Sequence, residues 1–197
     1  MVIGHQADQV RQTIGESYDV QFAVQEQQLG TGHAVSCAVP FLSDTADHVV
    51  VLCGDTPLIR HSTIEEMISQ HKANQRDVSV LAVRVTDPSG YGRVLLDTQG
   101  QLTGIIEQAD ANEDQKKINL VNSGMYVIRK SFLIDGLPLL KSDNAQKEFY
   151  LTDIVELGRS QNRNIGAIVG SNSDEIIGVN SPVELETAEK LMKIMGC

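Results

Sequence analysis

The sequence predicts an α/β fold, a mixed and mostly parallel sheet flanked by helices. Three observations carry that expectation. Strand-like apolar runs alternate with stretches of helical periodicity along the chain. The run from His48 to Cys53 is apolar from Val49 onward, as in a strand covered on both faces. Gly30-Thr31-Gly32 follows one such run and opens a helix, the order a layered sheet requires.

Each element follows in turn. Met1 to His5 reads as the end of a strand meeting a turn, and a helix over Gln9 to Ile14 comes at once. A sheet that opens on so short a stub leads us to expect a chain truncated at its front. Val20 to Val24 reads as a short strand, with the Gly-Thr-Gly turn and a helix through Val39 behind it. Ser62 with Glu65 has capping-box spacing and predicts a helix to about Ala73. Val78 to Val85 is the next strand. Pro88-Ser89-Gly90-Tyr91-Gly92 is a turn, followed by short strands at Arg93 to Leu96 and Gly104 to Glu107. Ala109 to Lys117 is a polar surface excursion. Val121 to Ile128 resumes the sheet, a helix covers Phe149 to Arg159, and Ile165 to Val169 is a further strand. Ser181-Pro182-Val183-Glu184 supplies an N-cap, a first-turn proline and a third-position glutamate, which starts a terminal helix. With no internal repeat or low-complexity linker, residues 1–197 read as one domain.

Composition narrows the function classes. A hydrophobic fraction of 41% and a charged fraction of 21% are those of an ordinary globular chain, and with aromatics at 4% and no Trp the interior is aliphatic. No apolar run approaches the roughly 20 residues of a membrane span, and the first residues lack signal-peptide character. Cys37, Cys53 and Cys197 are odd in number and without zinc-type pairing, and Cys37 and Cys53 sit in apolar segments. Buried thiols in a reducing cytoplasm are therefore expected. A formal charge of −10 argues against nucleic acid as a partner and requires a local cation or metal for any anionic substrate.

Several residues could carry chemistry. Gln25 to Ala34 sets side-chain amides beside a glycine turn. Amides offer both a donor and an acceptor to a base edge, and glycine admits a flat ligand; a merely solvated loop is the alternative. Gly54-Asp55 follows the run ending at Cys53, where open α/β sheets bind ligands, and a carboxylate there suits magnesium carrying phosphates; a turn aspartate beside Thr56-Pro57 is the other reading. Gly90 to Arg93 is a reverse turn or a backbone contact to a ligand carbonyl. Glu107 and Asn122, each beside a strand end, suit sugar hydroxyls or a structural role. Asn180, before the capped terminal helix, is a neutral oxygen ligand or a turn amide. His33 and the other histidines show no metal spacing, and no nucleophile elbow is present.

Taken in order, Gln25 to Ala34, Gly54 to Leu58, Asp87 to Arg93, Gly104 to Glu107, Asn122 to Gly124, Glu148 to Asp153 and Gly178 to Asn180 resemble one family. It is the uridyltransferase (pyrophosphorylase) domain of bacterial bifunctional N-acetylglucosamine-1-phosphate uridyltransferases, in the nucleotidyltransferase superfamily. The resemblance implies a Rossmann-like sheet of the nucleotide-diphospho-sugar transferase type. It implies the reaction of UTP with N-acetylglucosamine 1-phosphate to give UDP-N-acetylglucosamine and pyrophosphate, a cell wall precursor step in the cytoplasm, with Mg2+ as cofactor. By position, Gln25, Gly30, Thr31 and Gly54 would hold the nucleotide, and Asp55 and Asn180 the magnesium. Gly92, Glu107, Asn122, Tyr150 and Thr152 would contact the sugar phosphate.

The chain departs from that family in three places. The opening strand with its glycine-rich, arginine-bearing loop and a later lysine do not occur in it, so no catalytic residue is assigned. Arg93 and Lys147 are the positive charges within or directly adjoining the matched segments. The hexapeptide-repeat acetyltransferase domain is not in this sequence, and Cys53 stands where the family has a tyrosine. Two rivals stay open: a nucleotidyltransferase for another sugar phosphate or nucleotide, and a non-catalytic sugar-nucleotide-binding module. In the resembled family the first strand lies beside His48 to Cys53, so a free edge there predicts self-association.

Overall fold

The computed structural model describes residues 1–195; Cys197 lies outside them. A small parallel pair comes first, β1 (Val2–Ile3) against β2 (Ala23–Val24), with α1 (Ala7–Gly15) between them in sequence. The expected strand from Val20 is thus confined to its last two residues before Gln25. Then follow α2 (Thr31–Ala38), β3 (His48–Val51), α3 (His61–Ala73), β4 (Val78–Arg84), β5 (Arg93–Leu96) and β6 (Leu102–Ile106). The chain continues with β7 (Leu120–Arg129), α4 (Lys130–Gly136), α5 (Asp153–Ser160), β8 (Ile165–Gly170) and α6 (Pro182–Met195).

The main sheet has the order β6-β5-β7-β4-β8, and β3 also pairs with β7. The expected flanked α/β sheet is present, but its pairings are mostly antiparallel. β3, β4, β5 and β8 share a direction, yet β7 runs the opposite way in their midst, leaving β4 with β8 as the only parallel neighbours in this sheet among the described residues. Apolar patterning reports burial of a strand and not its direction.

Alternation along β4 and β7 divides the core. Val78, Val80 and Ala82 join Tyr126 and Ile128 on the face covered by α4 and α5, with Phe132, Leu133 and Ile154 filling the space between. Leu81 and Val83 join Val121, Met125 and Val127 on the other face, under Met67 of α3. The ladder between β4 and β7 is interrupted: Val80 pairs Tyr126 while Ala82 pairs Asn122. The extra residues on β7 are even in number, so the inward face is preserved across the bulge.

Some local expectations change. The capping box at Ser62 and Glu65 does not form. Arg60, extended at φ −87°, caps α3 two residues earlier, because its N–H is held by the buried Glu175 carboxylate at 3.3 Å. The helix expected from Phe149 begins at Asp153, since the backbone of Phe149 and Leu151 is bonded to the loop before α2 and to the first turn of α2. α4 follows β7 without a break and was not marked by any strong start signal. The terminal helix starts as expected, with Ser181 Oγ accepting from the Glu184 N–H and the Glu184 carboxylate accepting from Asn180 N–H and Ser181 Oγ–H. No described helix is long and apolar enough to cross a membrane.

Candidate active site

The Gln25 loop leaves β2 after Gln25 N–H donates to the Ile3 carbonyl at 2.8 Å. The Gln25 side chain is buried, its Nε2 3.0 Å from the Gly30 carbonyl and 3.0 Å from His33 Nδ1. Gly30 has φ +105°, and a Cβ on it would lie 2.7 Å from the Phe149 carbonyl oxygen. On the side where a Cβ would stand, Gly30 and Gly32 both face the Phe149 backbone. Gly32 N–H donates to Phe149 O at 2.7 Å, and Thr31 Oγ1 accepts the Leu151 N–H at 2.9 Å. The Gln25 loop and the Glu148 to Asp153 segment are therefore stitched together.

Across that seam lies a cavity of about 690 Å3, lined by Glu107, Tyr150, Thr152 and Asp153, with Lys141 and Arg159 also on its wall. Glu107 follows β6 directly; its Oε1 accepts from Thr152 Oγ at 3.0 Å, and a Cβ on Gly92 would stand 3.1 Å from its Oε2. Burial raises the Glu107 pKa, the Thr152 hydrogen bond opposes this, and the Asp110 charge adds to it. Asn122 N–H donates to the Gly92 carbonyl at 2.8 Å, and its amide Nδ2 donates to the buried Tyr126 hydroxyl at 2.9 Å. Tyr150 Oη–H donates to Gln146 Oε1 at 2.7 Å. Gly92, Glu107, Asn122, Tyr150 and Thr152 thus gather as one neighbourhood. Sequence reading missed Asp153, whose pKa rises to about 6 through burial and then the charges of Glu156, Glu107 and Asp110. Its signal in the sequence was its place at the end of the matched Glu148 to Asp153 stretch.

Asp55 and Asn180 meet around Gly178. A Cβ there would lie 3.5 Å from Asp55 Oδ2 and 3.3 Å from Asn180 Nδ2. The Val179 N–H bonds the Asp55 carbonyl at 2.8 Å, which fixes the two segments in register. Tyr91 stands close by, its hydroxyl pKa raised by burial and then by the charges of Asp55 and Glu184. One carboxylate and one amide, both on exposed loop residues, offer hard oxygen donors and leave most of an ion's coordination to water and phosphate. That is the habit of Mg2+ and not of a dedicated protein cage. No group of three or more acidic, histidine or cysteine side chains suited to a metal ion occurs among the described residues.

Cys53 joins the two halves. Its Sγ lies 3.4 Å from the Gly124 carbonyl, and a Cβ on Gly124, at φ +77°, would come within 2.5 Å of that sulfur. Burial and the Asp55 charge push the thiol up to about 11, so it stays protonated. Gly54 has open space where a side chain would be. Neither the Gln25 loop nor the Asp55–Asn180 pair lines the large cavity; they stand beside it. Arg93, one of the two positive charges noted beside the matched segments, is 1% exposed, and its guanidinium donates to Tyr91 O, Gln108 Oε1 and Lys116 O.

Comparison with known proteins places this geometry. The sequence model of the nucleotidyl transferase family matches residues 2–174. The chain is 43% identical over 193 residues to the bifunctional protein GlmU of Clostridioides difficile, covering 98% of the chain and 41% of that protein. It is 44% identical to the GlmU of Caldanaerobacter subterraneus subsp. tengcongensis, with the same coverage of 98% and 41%. The chain spans about two-fifths of the length of these curated relatives. Among solved structures, HddC from Yersinia pseudotuberculosis superimposes with a TM-score of 0.66 at 20% identity, over 96% of this chain and 76% of HddC. HddC complexed with GMP-PN gives 0.64 at 18% identity, over 96% and 77%. These two likenesses concern the fold.

Proposed function

This chain belongs to the nucleotidyl transferase family, and from that premise we propose that it is the part of a longer enzyme that binds UTP and N-acetylglucosamine 1-phosphate for uridylyl transfer. In that reaction an oxygen of the sugar phosphate bonds to the α-phosphorus in line, the bond from that phosphorus to the bridging oxygen breaks, and pyrophosphate leaves. The observation that carries the reading is that residues scattered from Gln25 to Asn180 form three adjoining groups, in a chain 43% identical to a GlmU.

On this reading the Gln25 loop holds the uracil, with the backbone of Gly30 and Thr31 at the start of α2. Glu107 and Thr152 accept and donate to sugar hydroxyls or the acetamide in the cavity, whose wall Tyr150 shares. Asn122 holds the Gly92 backbone in place and keeps one amide N–H for the sugar. Asp55 and Asn180 would hold Mg2+, which when bound neutralises charge on the phosphates. A cytoplasmic site for this chemistry follows from the substrates proposed.

A second reading, a unit that binds sugar nucleotide without turning it over alone, is favoured by Arg93, whose charge is spent on protein carbonyls. Both are tested together. Titration with UDP-N-acetylglucosamine, UDP-glucose and GDP-mannose should rank the first highest, and equal or absent binding of all three would sink the uridylyl reading. Pyrophosphate release by the 197-residue chain should lie far below an ordinary turnover of about 1 per second. Turnover at that level would dismiss the binding-unit reading.

A further inference from the structure

We propose that His33 is a positioning residue: it locks the Gln25 amide with its oxygen outward, so that the pocket selects a base edge presenting a ring N–H, as uracil does, over one presenting a bare ring nitrogen, as cytosine does. The inference rests on the uridine reading above and deepens it.

The orientation follows from elementary hydrogen-bond chemistry. The Gly30 carbonyl can only accept, so the amide atom 3.0 Å from it must be the nitrogen, whichever way oxygen and nitrogen are labelled. That same nitrogen lies 3.0 Å from His33 Nδ1. Since the amide nitrogen only donates, Nδ1 must carry a lone pair, and the ring proton sits on Nε2. His33 Nε2 faces Cys37 Sγ at 4.0 Å, a weak acceptor compatible with that tautomer.

Both amide N–H bonds are then spent inside the protein, and Oε1 is what remains. It takes no hydrogen bond from a described residue, and no described buried side-chain polar atom lacks a partner, so Oε1 is open to solvent or ligand. The amide has no easy way to turn round. The Gly30 carbonyl already accepts from Ala34 N–H at 3.0 Å, and Gly30 itself is pinned against Phe149. Turning the amide would set Oε1 against that carbonyl and against the Nδ1 lone pair. An acceptor held outward suits the N3–H of uracil. Cytosine offers a lone pair at the same ring position and is repelled, and a site with fixed buried polarity rejects the wrong edge strongly.

The test uses the full chain, with UDP and CDP as probes that share their sugar and phosphates. Wild type should bind UDP at least about tenfold more tightly than CDP. His33→Ala should bring that ratio toward one with the fold retained, and His33→Asn, whose Oδ1 can accept near the Nδ1 position, should restore it. A ratio unchanged in His33→Ala overturns the inference and leaves the uridine reading standing. Wild type that does not prefer UDP overturns the uridine reading, and the inference with it. Independently of ligand and of variant stability, long-range proton–nitrogen NMR of the His33 ring should show the proton on Nε2; a proton on Nδ1 overturns the proposal.

Discussion

His71 should make the chain acid-sensitive by an amount that can be worked from its surroundings. The ring is fully buried at the end of α3, with Nδ1 2.9 Å from Ser79 Oγ of β4 and Nε2 2.9 Å from His48 Nδ1 of β3. Burial first, then the ring of His48 and the charges of Arg129 and Arg76, lower its pKa from 6.5 to about 4, while Asp77 acts the other way. The unfolded chain therefore takes up a proton near 6.5 that the folded chain refuses until about 4. Stability falls as pH drops through that window and is fully present above it. Each pKa unit is worth 1.36 kcal/mol, so the loss approaches a ceiling of about 3 kcal/mol, with about 2 kcal/mol already gone on going from about pH 7.5 to about pH 5. Asp153 works against it: its raised pKa of about 6 means that acid adds stability between that value and 3.8. Wild type alone would show the two partly cancelled. Urea unfolding at both pH values, on wild type and His71→Gln, isolates the histidine. The variant, less stable at neutral pH, should escape this histidine's acid-induced loss. Equal acid-induced changes in both proteins would refute the argument.

Gly124→Ala should cost about 2–4 kcal/mol, from a left-handed backbone angle and from overpacking against Cys53 Sγ. In a Cys53→Ala background the cost should fall to about 1 kcal/mol, whereas simple additivity in denaturant unfolding would show that the contact does not matter. Thr31→Val leaves the Leu151 N–H without its acceptor, at about 1–3 kcal/mol. Calorimetry should show affinity for UDP-N-acetylglucosamine falling more than affinity for UDP; equal losses would mean that the seam does not position the sugar side. Among the described residues β3 pairs with β7 alone, leaving its outer edge open beside Leu52, which is 45% exposed. Light scattering should detect association that Leu52→Lys reduces, and a monodisperse monomer at high concentration would count against an active edge.

Much of the architecture was legible because burial leaves a direct mark on sequence. The apolar run of β4 and the cap at Ser181 announce themselves within a few residues. β7 did not announce its direction, since a strand covered on both faces reads the same either way. Ser62 and Glu65 had capping-box spacing, but a tertiary bond from Arg60 to Glu175, 115 positions away, moved the start of the helix. At the site, Asp55 and Asn180 could be picked out by their place beside glycines at segment ends, and the backbone bond from Val179 to Asp55 brings them together. The Gln25–His33 contact was beyond reach, because nothing in the spacing says which ring nitrogen faces the amide. The burial of Arg93 was beyond reach for a related reason: a charge counted along the chain says nothing about the three carbonyl groups that fold around it.

The connections between the three groups matter more for function than any one group. Each is a bond between segments distant in sequence: Leu151 N–H to Thr31 Oγ1, Asn122 N–H to Gly92 O, Val179 N–H to Asp55 O. Cys53 adds a fourth by resting on the bulge beside Asn122. On the proposed reading, a nucleotide at the Gln25 loop would press on the segment that carries Thr152, and an ion at Asp55 would sit two residues from the sulfur that rests on the Gly124 carbonyl. Uridylyl transfer needs the sugar phosphate and the α-phosphorus held in line within a fraction of an ångström, a demand met by positioning more than by any single reactive group. A site stitched in this way supplies positioning. The charge stabilisation that drives the phosphoryl step must come from cations, and the arginine nearest the matched motifs is committed to holding the scaffold.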